Sequence, residues 1–166
     1  MNNSFTFTFA SLPQNAEELM ALPEADLQSP HKTAALSLVA LLMYEKNPET
    51  CFSMLDALRG PDPMNPFGKQ FIKDRLSGKE YKVKSFFQGA TVENGYEPTA
   101  PYTITVTDNP YSFPEENWAT VYVKSAGADS ERGIKLRKKP STGQWFLNDI
   151  QCLSDIRIPA AADPWA

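Results

Sequence analysis

Residues 133–147 have the sequence pattern of a β-hairpin. In the first run, apolar residues alternate with Lys135 and Arg137, which is the period of two expected for a half-buried strand. Residues 140–143, which include a proline and a glycine, then separate this run from Gln-Trp-Phe-Leu at residues 144–147. The pattern predicts an antiparallel pair of strands in the second half of the chain.

Period-two alternation also occurs before this hairpin. The other alternating runs are residues 5–9, 81–87, 102–107 and 118–124. Turn-forming residues, including Asn94-Gly95 and Gly127, lie between the later runs and favour hairpin-like connections. We therefore predict a mostly antiparallel sheet built from residues 81 to 147, and we expect residues 5–9 to join it.

A repeated helix-start signal lies between the first strand and the sheet region. A capping side chain followed directly by proline occurs at Ser29, Asn47 and Asn65. The cap accepts a hydrogen bond from an otherwise unpaired backbone N–H, and proline at the first helical position has no N–H to leave unpaired. Apolar stripes follow each signal, and a shorter helix is expected to begin near Asn15.

The order of these elements predicts an α+β fold. Helices over about residues 15–76 should pack on one face of the sheet formed by about residues 81–147, with a C-terminal tail over residues 148–166. A chain of 166 residues is near the usual size of one domain, so we expect residues 1–166 to form a single domain. We also expect Trp165, near the end of the tail, to dock on the body of the protein.

Composition narrows the possible partners. The net charge of −4 and the pI of about 5.0 argue against a general binder of nucleic acid or anionic membrane, which needs an excess of Lys and Arg. Only two cysteines are present, too few for a disulfide scaffold. The N-terminus alternates Phe with Thr, unlike the apolar run of a signal peptide. We expect a cytoplasmic protein with no nucleic-acid or membrane partner.

Residues with catalytic potential are few and have no visible partners. His31, the only histidine, lies in the first turn of a predicted helix, and Cys51 falls on an apolar helical stripe where a buried, inert thiol is expected. Carboxylates such as Asp62 and Asp108 form no recognisable pair, and no glycine-rich phosphate loop occurs. We predict no catalytic residues, no metal site and no cofactor, and we favour a non-enzymatic role.

Aromatic and basic residues share the predicted strands. Trp118 and Tyr122 lie on one strand and Arg137 on the next, while Tyr111 lies in a long loop over residues 108–117. This combination resembles a surface for single-stranded nucleic acid. However, basic residues that alternate with apolar ones are also expected on the solvent face of any strand. We predict that Tyr111, Trp118, Tyr122 and Arg137 form a binding surface.

Eight short runs distributed over nearly the whole chain carry a family resemblance. They are residues 71–78, 101–106, 108–112, 127–130, 135–137, 144–147, 153–157 and 163–166. Together they resemble a family of bacterial proteins defined only as a domain of unknown function. The resemblance implies a bacterial, cytosolic, single-domain protein, and it implies no activity, substrate or site residue.

Two functional hypotheses follow. The first is a non-catalytic protein-interaction or binding module that uses the outer aromatic and basic face of the sheet, with an unidentified protein as partner. The second is a small-molecule pocket between helices and sheet, with or without weak enzymatic activity, by analogy with cone-shaped α+β folds. The sequence leaves the identity of the partner or ligand and the oligomeric state open.

Overall fold

Both ends of the chain contribute strands to one sheet in the computed structural model, which describes residues 2–166. The strands, in their order across the sheet, are β1 (Ser4–Phe9), β2 (Tyr102–Thr107), β3 (Trp118–Val123), β4 (Arg132–Lys139) and β5 (Gln144–Ile150). Each strand pairs antiparallel with its neighbour. The predicted α+β class, the C-terminal hairpin and the addition of the N-terminal strand are confirmed.

The helices precede strands β2 to β5 in the chain. They are α1 (Ala16–Met20), α2 (Pro30–Leu42), α3 (Pro48–Arg59), α4 (Pro66–Leu76) and α5 (Tyr81–Lys84), with short 3₁₀ turns at Pro23–Asp26 and Ala160–Ala162. All three predicted cap signals begin helices. The side-chain oxygens of Ser29, Asn47 and Asn65 accept hydrogen bonds from backbone N–H groups of the first turn.

Helix α2 is the centre of the core. It contacts β2, β3, β4 and β5 on one face of the sheet, and α3 packs against both α2 and β5. Leu36 and Leu38 of α2 are fully buried, as are Val121 and Leu136 of the sheet. These side chains lie at the interface between helices and sheet, which is where the sequence suggests a ligand pocket.

The opposite side of the sheet, the outer face, carries the alternate residues of each strand. The register places Trp118 opposite Arg137, and Arg137 opposite Phe146, so the three residues form one row across β3, β4 and β5. One residue along β4, Leu136 points to the helices and is fully buried. The period of two thus separates a packed face from a solvent face.

The β5 edge of the sheet is covered by two contacts from elsewhere in the chain. The backbone N–H of Trp145 donates to the carbonyl of Leu27 at 2.7 Å. Farther along the strand, the Arg59 guanidinium donates to the carbonyl of Asn148 at 2.8 Å. These bonds occupy groups that an exposed edge would offer to another chain, and they fix Arg59 beside β5.

Two expectations from the sequence are wrong. Residues 81–87 are not a strand: Tyr81–Lys84 form helix α5, and the buried side chains Val83, Phe86 and Phe87 follow a spacing of three and four. That spacing is helical, and it outweighs the alternation of the short run. The sheet therefore begins in this half of the chain at Tyr102. Trp165 does not dock on the body of the protein, since it is 93% exposed.

Candidate functional site

Three of the four predicted site residues lie on the outer face of the sheet. Trp118 and Arg137 are directly opposite each other on β3 and β4, and Tyr122 lies farther along β3, opposite Gly133. Tyr111 is placed apart from them, in the loop between β2 and β3, with 82% of its surface exposed. The structure brings Trp118 and Arg137 together and leaves Tyr111 as an exposed loop residue.

Trp118 is the aromatic centre of this surface. The ammonium of Lys135 lies 4.8 Å from the centroid of its ring, and the Arg137 guanidinium carbon lies 5.0 Å from it. Both distances are within the range of a cation–π attraction. Two positive charges of β4 therefore lie beside an apolar ring that remains partly exposed. We name Trp118, Tyr122, Lys135, Arg137 and Phe146 the basic–aromatic half of the outer face.

The cations of β4 have no carboxylate partners. Within residues 2–166, no Asp or Glu oxygen lies within 4.0 Å of the side-chain nitrogens of Lys135, Arg137, Lys138 or Lys139. Asp149 is opposite Lys135 in the register, yet the Lys135 ammonium lies over Trp118 instead. Elsewhere, Lys84 lies between Glu45 and Glu97 at 3.3 and 3.4 Å. The positive charge on β4 is therefore free to meet an anion.

The other half of the outer face, on β1 and β2, is neutral. The side chains there are threonines, and they form cross-strand hydrogen bonds with each other: Thr6 with Thr105 at 2.9 Å and Thr8 with Thr103 at 3.2 Å. We name these four residues the threonine half. These hydroxyls form hydrogen bonds with each other. This half of the face carries neither a charge nor an aromatic ring that a partner could contact.

A cleft lies beside the basic–aromatic half, between the loop that follows α3 and strands β4 and β5. Its volume is about 290 Å³, and it is lined by Arg59, Pro61, Asp62, Arg137, Lys138, Lys139, Pro140, Phe146, Leu147 and Asn148. Sequence reasoning missed this cleft, because Arg59 and Asn148 are far apart in the chain and neither carries a motif. Only the folded structure brings their segments together.

His31 has a partner that the sequence did not reveal. Its Nε2 lies 2.9 Å from an Oδ of Asp108, and both side chains are almost fully buried. Asp108 also accepts the backbone N–H of Asn3 at 3.0 Å, and the Phe5 ring lies 4.5 Å from the imidazole. Burial lowers the pKa of His31 below 6.5, against the opposing effect of Asp108.

This buried pair has the contacts of a structural tie. Within residues 2–166, no hydroxyl or thiol forms a hydrogen bond with His31. The contacts of Asp108 instead join the residue just before β1, helix α2 and the loop after β2.

The two thiols are unsuited to nucleophilic chemistry. Cys51 and Cys152 are both buried and unpaired, and burial raises the pKa of each to about 12. A thiol with such a pKa is protonated at neutral pH, whereas the thiolate is the reactive form. The expected burial of Cys51 is confirmed.

A buried hydroxyl chain links α5 to the loop after β3. The Ser125 hydroxyl donates to the Ser85 hydroxyl at 2.7 Å, and the Ser85 hydroxyl donates to the backbone carbonyl of Lys82 at 2.6 Å. Each hydroxyl proton is therefore already used in a hydrogen bond. The chain stabilises the packing of these segments and provides no activated nucleophile.

No three His, Cys, Asp or Glu side chains of residues 2–166 are grouped closely enough to hold a metal ion. Over the same residues, every helix is too short or too polar to cross a bilayer.

Comparison with known proteins gave one match. Residues 11–160 match the sequence profile of a domain of unknown function (DUF6935). Searches of curated proteins and of solved structures returned no significant match. The match includes β2 to β5, and with them the basic–aromatic half of the outer face and the cleft beside it.

Proposed function

The chain belongs to the DUF6935 family, and from this premise we propose that it is a non-catalytic binding module that docks an acidic segment of a partner protein. The docking surface is the basic–aromatic half of the outer face. The observation that carries the proposal is the pair of β4 cations, Lys135 and Arg137, that lack carboxylate partners and lie over the partly exposed Trp118 ring. Charge complementarity selects the partner: unpaired cations favour carboxylate-bearing segments.

The residue types support a protein partner. Tryptophan and arginine are enriched among the residues that contribute most to binding energy at protein interfaces. The cation–π contacts hold Trp118 and Arg137 in place before binding, so less side-chain entropy is lost when a partner docks. A peptide segment can lie along β4, with carboxylates against Lys135 and Arg137 and an apolar side chain on the indole.

The surrounding charges restrict which anions can dock. The chain as a whole carries a net charge of −4, which opposes the many phosphate contacts that nucleic-acid binding requires. Glu115 and Glu116 lie beside Trp118 in the preceding loop. They repel an acidic segment there and direct it along β4.

The proposed module acts in the bacterial cytoplasm. Two buried cysteines that remain free thiols are consistent with a reducing compartment. The family resemblance carried by the eight sequence runs supports a bacterial source.

Site-specific photo-crosslinking in the native host tests the proposal. A benzophenone amino acid replaces Tyr122 in the basic–aromatic half, and the matched control carries it at Thr6 in the threonine half. We expect position 122 to crosslink to a protein segment rich in Asp and Glu, and position 6 to give no such adduct. The adduct at position 122 should disappear when Lys135→Glu and Arg137→Glu are added. Equal adducts from both positions, or adducts to segments without acidic residues, would contradict the proposal.

A further inference from the structure

The cleft beside Phe146 combines positive charge with flat apolar walls. Of its lining residues, Arg59, Arg137, Lys138 and Lys139 are basic and Asp62 is the only acid. The apolar part of the wall is formed by Pro61, Pro140, Phe146 and Leu147. The volume of about 290 Å³ is close to the lower limit for small-molecule sites, so it suits a ligand of about one ring with a charged substituent.

Arg59 is held rigidly at one end of the cleft. Its Nε–H donates to the backbone carbonyl of Asp62 at 2.8 Å, and its Nη1 donates to the carbonyl of Asn148 at 2.8 Å. These two bonds use only part of its five N–H donors, and only 17% of its side chain is exposed. A fixed, partly desolvated guanidinium attracts an anion more strongly than a mobile surface cation does.

The Phe146 wall is also fixed in place. Gly60 has a positive φ of 62° at the end of α3, and a Cβ there would lie 2.5 Å from the Phe146 ring. The absence of a side chain at position 60 allows the loop to lie directly on the ring. The cleft is therefore built by close packing of two segments, and its wall does not depend on a mobile loop.

Asp62, the acidic residue of the cleft, interacts only weakly with Arg59. Its carboxylate lies 3.8 Å from Arg59 Nη2 and is 79% exposed, so the ion pair is long and solvated. A ligand anion that reaches Arg59 can displace Asp62 toward solvent at small cost. The carboxylate thus marks the position that a stronger anion would occupy.

We propose that this cleft is a binding site for a small organic anion that carries a planar apolar ring. The ring lies between Phe146 and the two prolines, and the phosphate or carboxylate group faces Arg59 and Lys139. This inference goes beyond the docking of an acidic protein segment, because it rests on the concave cleft and on Arg59, and the docking surface is centred on Trp118.

Phenyl phosphate is the probe, and ¹H–¹⁵N NMR of the full chain is the readout. We expect saturable shifts of Arg59 Nε, Phe146 and Lys139, with half-saturation at or below about 1 mM, which corresponds to about 4 kcal/mol of binding free energy. Phenol and inorganic phosphate are the two controls, since phenol lacks the phosphate group and inorganic phosphate lacks the ring. Benzoate distinguishes a carboxylate-binding site from one that prefers phosphate.

Three substitutions at exposed positions make the test specific without threatening the fold. Lys139→Met should weaken phenyl phosphate binding about fivefold, the upper range for one exposed ion pair. Asp62→Asn should tighten it about threefold, because a competing carboxylate is removed. Lys79→Met, which removes the same charge at an exposed position outside the cleft, should leave it unchanged.

The proposal is overturned if phenyl phosphate gives no saturable shift at these residues. It is also overturned if inorganic phosphate or phenol binds as well as phenyl phosphate, or if Asp62→Asn weakens binding. A benzoate affinity equal to that of phenyl phosphate would support the shared anion-and-ring chemistry and assign no preference to phosphate.

Discussion

The two faces of β3 and β4 are built from alternate residues of the same short segments, yet they differ in burial and in residue type. On the inner face, Val121, Ile134 and Leu136 are fully buried against the helices. On the outer face, the intervening positions carry Trp118 and Lys135, which remain partly exposed and contact each other. Packing alone explains the inner residues. It does not explain why an indole lies in contact with unpaired cations on the side that faces solvent.

The threonine half supplies the internal control for this difference. Its residues also face solvent, but they are uncharged and small, and they form their own cross-strand hydrogen bonds. A solvent face of this sheet can thus be built without aromatic rings or charge. The basic–aromatic half therefore carries more chemistry than solubility and strand pairing require, and this excess supports a docking role.

The largest expected effect is the loss of stability when a buried side chain of the inner face is truncated. Leu136→Ala removes a fully buried side chain opposite Leu147 and should lower the free energy of unfolding by about 2–5 kcal/mol. Chemical denaturation measures this loss. A cost below about 1 kcal/mol would show that the packed face is less important than the burial indicates.

The second effect concerns the buried tie that attaches β1 to the sheet. Asp108→Ala leaves the Asn3 N–H and His31 Nε2 without their acceptor and should destabilise the protein by about 2–3 kcal/mol. Hydrogen exchange of the β1 amides should rise at the same time, since the N-terminal strand loses an anchor. Unchanged stability would mean that pairing with β2 alone holds β1.

The third effect separates the two faces most clearly. Lys135→Glu with Arg137→Glu should abolish docking of an acidic segment. The free energy of unfolding should fall by only about 1–2 kcal/mol, because the two cation–π contacts are lost. The matched control is Lys69→Glu with Lys79→Glu, which makes the same change in net charge away from the sheet. If the control impairs docking equally, net charge rather than this surface governs binding.

A smaller effect should appear as a pH dependence. Because burial lowers the pKa of His31, the unfolded chain takes up a proton on this side chain at a higher pH than the folded chain does. The contribution of His31 to stability is then complete above about pH 6.5 and is lost as the pH falls below it. His31→Asn should show a shallower loss of stability between neutral and mildly acidic pH. A steeper loss in the variant would contradict the stated direction.

The smallest effect is expected at Trp165. The side chain is 93% exposed, so Trp165→Ala should change the free energy of unfolding by less than about 0.5 kcal/mol and leave docking intact. This variant sharpens the comparison, because it tests whether an exposed indole matters by itself or only beside cations. Loss of docking would assign the partner to the tail.

Local patterns in the sequence predicted the elements that depend on local chemistry. The capping residues Ser29, Asn47 and Asn65 fixed three helix starts, and the alternation around Leu136 fixed the hairpin and its two faces. The run at residues 81–87 was misassigned because a short segment can satisfy both periods, and tertiary packing decided between them.

The candidate site was predictable only in part, because some of its contacts join elements that are far apart in the sequence. Alternation placed Trp118 and Arg137 on the solvent side, and strand order made them neighbours. The tie between His31 and Asp108 spans 77 residues, and the contact between Arg59 and Asn148 spans 89. Such contacts arise from the packing of separate elements, which no local spacing encodes.

The most direct test of the docking surface is an NMR titration of the full chain with a short glutamate-rich peptide. A peptide with glutamine in place of glutamate is the control. We predict saturable, salt-sensitive shifts at Trp118 Nε1, Lys135 and Arg137, none at Thr6 or Thr105, and none with the glutamine peptide. Shifts spread equally over both halves of the outer face, or no saturable shift at Trp118, would contradict the account.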